Sequence, residues 1–91
     1  MIIVKTISAD NPRRFSVSIQ EKDGKTHHEV SLSTETFEKL SDGKHPPEKL
    51  IEAAFRFLLD HEPKESILGE FDITVIPHYF PDFESQICNY Y

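Results

Sequence analysis

Cysteine and glycine are both scarce in this chain of 91 residues, and each scarcity closes off a class of chemistry. The single cysteine, Cys88, stands near the last position, so no intrachain disulfide framework and no CxxC metal knuckle can form. Such usage suits a reducing compartment. The three glycines, Gly24, Gly43 and Gly69, each sit where a turn or helix cap is expected, which leaves no glycine-rich loop to cradle phosphate. Long apolar runs are missing too. Lys5 interrupts the first residues and no apolar core of a secretory leader follows it. Nothing approaches the roughly 20 apolar residues that span a bilayer. The expected setting is cytoplasmic, with no membrane association.

What the chain does contain is enough for one modest core. Hydrophobic residues make up 37% and charged residues 29%, a polar but globular balance. One domain over residues 1–85 is expected, with 86–91 as a frayed C-terminal tail. The net charge of −6 is unevenly spread. Residues 1–32 hold five basic and four acidic side chains, and residues 33–91 hold five basic and twelve acidic ones. An acidic second half repels phosphate, so nucleic acid is a poor partner for it.

The clearest local signal is a hairpin. Phe15, Val17 and Ile19 alternate with Ser16, Ser18 and Gln20, and Val30 and Leu32 alternate with Glu29 and Ser31. Asp23-Gly24 between them predicts a type I′ turn, with Ile19 facing His28, Val17 facing Val30 and Phe15 facing Leu32. Residues 2–7 are β-branched enough to add a third antiparallel strand. Ser33 is a hydroxyl N-cap for a first helix, with Leu32 and Phe37 at the spacing of a hydrophobic staple and Gly43 as its stop. Pro47 opens a second helix over 47–61. Lys49, Glu52, Arg56 and Asp60 form its polar stripe, while Leu50, Ile51, Ala53, Ala54, Phe55, Phe57, Leu58 and Leu59 fill the rest of the wheel. That apolar arc is wider than one contact face, so the helix needs cover on two sides, from this chain or a second subunit. Beyond Pro63, one helical turn is expected to bring Ile67 and Leu68 inward, with an irregular segment after Asp72. The fold class is α+β: a small three-stranded antiparallel meander with two main helices on one face and an irregular C-terminal segment.

Catalytic signals are weak. His27 and His28 are neighbours in a strand and point to opposite faces, and no histidine pair has the i,i+4 spacing of a zinc site. No serine lies in a GxSxG turn, and nothing near Cys88 lowers its pKa. Glu62 and Glu65 flank a turn as solvated carboxylates. No catalytic, cofactor-binding or metal residues are assigned, and no cofactor is expected. The aromatic-rich end is the one surface signal: Tyr79, Phe83, Tyr90 and Tyr91 are candidate contacts for a protein partner, while Phe80 and Phe83 can equally plug the open side of the long helix.

Two resemblances attach to these residues. The order strand (Val30 to Ser33), helix with Phe37 and Leu40, turn, and helix with Leu50-Ile51-Glu52-Ala53-Ala54 resembles a ribbon-helix-helix DNA-binding protein. It departs in that the strand belongs to an intrachain hairpin and shows His27, Glu29 and Ser31 outward rather than basic side chains. Residues 48–83, with Phe57-Leu58-Leu59-Asp60-His61-Glu62-Pro63 and Tyr79-Phe80-Pro81-Asp82-Phe83, are similar to a group of short bacterial proteins of unassigned function. That similarity implies a recurring structural unit and no activity. The leading expectation is a non-catalytic protein-interaction module or assembly subunit, with a protein partner or self-association. The alternatives are a nucleic-acid-associated regulator of ribbon-helix-helix type and a small enzyme or metal-binding protein.

Overall fold

Period-two alternation builds the sheet, and the computed structural model describes it within residues 1–91. Strand β1 (Ile2–Ser8) pairs antiparallel with β2 (Arg13–Glu21), which pairs antiparallel with β3 (Gly24–Leu32). A three-residue strand, β4 (Glu70–Asp72), joins the far side of β3 in parallel, giving the order β1-β2-β3-β4. The α+β class is as expected, but the sheet is mixed and four-stranded. Three residues are too few to show a period, and a parallel partner leaves no turn signal in the sequence.

The hairpin register differs from the expected one by two residues. Val17 faces His28, Phe15 faces Val30 and Arg13 faces Leu32, and the turn residues are Lys22 and Asp23. No residue other than glycine has positive φ, so the type I′ turn, which needs it at both corners, is not formed; within the hairpin only Gly24 takes it, at φ 144°. A slip of two keeps every side chain on its face. Phe15, Val17, Ile19, Val30 and Leu32 are therefore buried as expected, and the apolar pattern could not tell the two registers apart.

Helix α1 (Thr34–Leu40) begins where Ser33 Oγ accepts the Thr36 N–H at 3.1 Å. It ends at Leu40, earlier than Gly43, whose φ of 77° serves the connector instead. Helix α2 (Pro47–His61) has the bounds expected of it, with Pro47 in its first turn. On its polar stripe Arg56 donates to Glu52 at 2.6 Å and Lys49 lies 3.6 Å from Glu52, while Asp60 accepts from Tyr90 rather than pairing with Arg56.

The broad apolar arc of α2 is covered from within the chain. The sheet takes one side. The other is taken by Ile73, Ile76, Phe83 and Ile87, all buried, from the 3-10 turn Ile73–Val75, helices α3 (Ile76–Tyr79) and α4 (Phe83–Gln86), and the 3-10 turn Ile87–Tyr90. Each fully buried Leu, Ile or Phe side chain contributes about 1.5–3 kcal/mol, so the second wall matters as much as the first. Residues 86–91 are thus no frayed tail. Phe83 and Ile87 lie one helical turn apart and dock together, and the last two tyrosines are tied down. Tyr90 donates to Asp60 at 2.8 Å, and Tyr91 donates to the Leu40 carbonyl at 3.0 Å while stacking on His45 at 5.0 Å. Burial, with Asp42 and Cys88 nearby, pushes the Tyr91 hydroxyl up to about 12. No helix is long and apolar enough to cross a membrane.

Candidate functional site

Pro63 stops α2 and redirects the chain, and the bend opens a cleft of about 150 Å³. Leu58 and Glu62, one turn apart at the end of α2, form one wall. Ile67 and Leu68 form the second, and Phe71 of β4, Ile76, Tyr79 and Phe80 complete the lining. Most of the lining is apolar; the polar groups are Glu62 and Ser66, and neither side chain has a hydrogen-bond or salt-bridge partner within the protein. Glu62 is half-sheltered, and burial raises its carboxyl above its ordinary value against a smaller opposing effect of His61. The cleft displaces part of the water around the Glu62 carboxyl, and no side chain of the protein takes its place.

Two anchors shape this cleft. His28, only 2% exposed, has Nδ1 at 2.7 Å from the Leu68 carbonyl and Nε2 at 2.9 Å from Thr26 Oγ1. A carbonyl only accepts, so Nδ1 carries the hydrogen and Nε2 can accept from the threonine hydroxyl. The Glu29 N–H donates to the Gly69 carbonyl at 2.8 Å, which continues the tie into β4. Leu68 therefore has a fixed backbone and a side chain left 48% exposed.

The second anchor is Lys64, 1% exposed although it is a lysine in the short turn after α2 (Lys64–Ser66). Its Nζ lies 2.8 Å from Asp23, 2.8 Å from Glu65 and 3.0 Å from Glu21, so it clips the hairpin tip to the cleft's second wall. Its three carboxylates remain 45–76% exposed, so water and salt screen the cluster. The hydrogen bonds that Lys64 donates to Asp23, then Glu65 and Glu21, hold it well above its ordinary value and hold Asp23 and Glu65 below theirs. The carboxyl contribution is complete above the unfolded values of 3.8 and 4.5 and fades as pH falls through the lower folded ones. The lysine contribution is complete below 10.5 and is lost only as pH rises through the higher folded value. Lys64→Met is therefore expected to melt below the native chain between about pH 5 and 10, with the gap closing as pH falls through the lowered carboxyl values. Melting curves across that range check this; a gap equally wide at both ends of the acid limb would show that the cluster is not its source.

Of the four residues expected at a partner surface, the structure leaves one free. Phe83 is fully buried, Tyr90 and Tyr91 are packed with their hydroxyls engaged, and Tyr79 is 67% exposed at the cleft. Glu62 and Glu65, read as equivalent solvated carboxylates, are not equivalent: Glu65 pairs with Lys64 and Glu62 faces the cleft unpaired. Leu68, expected inward, is at the cleft mouth; His28, weighed in the sequence only as a metal ligand, is a buried anchor, and nothing in the sequence marks Lys64. A second cleft of about 180 Å³ between β3 and β4 is polar, but Arg14 lies 3.7 Å from Glu70 there and Ser31 donates to Asp72 at 2.8 Å. On the outer sheet face His27 lies 3.3 Å from Ser16 and 3.4 Å from Ser18, and neither cleft includes these three. No three His, Cys, Asp or Glu side chains converge as a metal cluster.

No family model, curated protein or solved structure matches the chain. The reading of the cleft rests on its own geometry.

Proposed function

We propose that this chain is a non-catalytic protein-interaction module whose partner inserts an apolar side chain into the cleft at the end of α2. The observation that carries the reading is the placement of exposed apolar surface. Four large apolar side chains are exposed, and two of them, Leu68 and Tyr79, line this one cleft. An apolar cavity of about 150 Å³ accommodates a benzene-sized group, so the opening suits one branched aliphatic chain or one ring. An apolar depression with few polar groups is the ordinary form of a recognition site. Self-association through α2 loses its motive, since this chain covers both sides of that helix.

The test is capture from native lysate by the tagged native chain, by Leu68→Asp/Tyr79→Asp, and by Ile7→Asp as an exposed control on β1. A partner retained by the native chain and the control but reduced at least about tenfold by the double variant is expected, a loss of about 1.4 kcal/mol or more. Equal capture by all three, or capture by none, overturns the reading.

A further inference from the structure

Resting on that interaction reading, we infer that the cleft selects a cationic partner segment: an apolar side chain fills it while a neighbouring lysine or arginine meets the Glu62 carboxylate. Three observations converge. The cleft is apolar apart from Glu62 and Ser66, so an inserted side chain is apolar and any charge it travels with stays at the rim. The Glu62 carboxylate has no donor within the protein, although every other carboxylate beside the cleft wall's turn is used: Glu65, Asp23 and Glu21 all engage Lys64. And the nearest lysine in sequence, Lys64, is held by those three, while the neighbouring His61 ring bonds the Phe57 carbonyl at 2.8 Å, so neither hydrogen-bonds Glu62. No side chain of the protein competes for the Glu62 carboxylate, and an ammonium or guanidinium from a partner engages it best, because a charged hydrogen bond is stronger than a neutral one. An acidic partner would meet a like charge beside an apolar wall and is disfavoured by the same arrangement.

The probes are three capped tripeptides with a central leucine, flanked by lysines, by glutamines or by glutamates, titrated into the isotopically labelled full chain and followed by amide shifts. The lysine peptide is expected to move the amides of Leu58, Leu68 and Tyr79 and to bind roughly threefold to fivefold tighter than the glutamine peptide, the range of a partly exposed ion pair. The glutamate peptide is expected to bind weakest. Glu62→Gln, a surface substitution of equal size, should bring lysine and glutamine peptides to equal affinity while leaving the leucine-dependent shifts in place. If lysine and glutamine peptides bind the native cleft alike, the charge selection fails and the apolar cleft stands. If a lysine preference survives Glu62→Gln, another group sets it and the inference fails. If no peptide moves the cleft amides, both the inference and the cleft reading fail.

Discussion

Replacing Phe57 by alanine is expected to cost about 3–5 kcal/mol, the range for removing a buried aromatic ring from a well-packed core. Phe57 is fully buried and is the hub of the second wall. Its ring meets Phe80, Phe83 and Tyr90 edge-on at 5.8, 5.1 and 5.6 Å and lies 4.3 Å from the His61 ring. Each such edge contact adds about 0.5–1.5 kcal/mol beyond the buried area, and alanine removes them together. Against a total stability of about 5–15 kcal/mol for a small domain, the loss is a large share of what holds the chain folded. A drop of well over 10 °C in melting temperature follows, at about 4–8 °C per kcal/mol for a domain near this size. Urea unfolding measures the energy, and amide exchange should show residues 83–90 losing protection first, since Phe57 is what they pack on. A loss under about 1 kcal/mol would mean that the C-terminal segment docks by other contacts.

That segment marks the boundary of what the sequence could say. Elements defined by short-range chemistry were legible. Ser33 and Pro47 placed the starts of both main helices, and the alternation in β2 and β3 placed five core residues on one face. The register was not, because a shift of two residues preserves every face, and the contacts made at the tip are tertiary: Asp23 and Glu21 engage Lys64, more than 40 residues along the chain. The frayed-tail expectation failed for a related reason. Positions 83 and 87 carry a helical period of only two apolar members, too short to read, and their meaning comes from the uncovered side of α2.

The site was legible only in fragments. Tyr79 was singled out for its aromatic neighbourhood, and the width of the apolar arc on α2 correctly announced that a second wall was needed. Nothing local separates Glu62 from Glu65; their difference is that one side chain turns toward a lysine and the other toward a cleft. Lys64 gave no warning either, since a lysine among glutamates reads as solvated surface. A useful signal was available in charge placement: a lone cation directly after a helix-ending proline, within an acidic half, is a candidate clamp for acidic residues elsewhere.

His28 joins the core to the site, and His28→Ala is expected to affect both. The side chain packs against Phe55 at 5.5 Å between ring centroids and donates to the Leu68 carbonyl. Alanine leaves a cavity and an unsatisfied carbonyl, together about 2–4 kcal/mol. His28→Phe separates the two effects: it keeps bulk against Phe55 and removes the donor to Leu68 along with the acceptor for Thr26 Oγ1, which should cost about 1–3 kcal/mol. The functional consequence follows from geometry. Leu68 is held at the cleft mouth by its carbonyl, so losing the donor frees the second wall to move while Leu58, Glu62 and Tyr79 stay in place. Both variants should therefore weaken the lysine-flanked peptide more than the fraction unfolded explains. Denaturation curves and peptide titrations on the same samples decide it. A His28→Phe chain that is destabilised yet binds the peptide at native affinity would show that Leu68 keeps its place without the histidine, and that core and cleft are energetically separate.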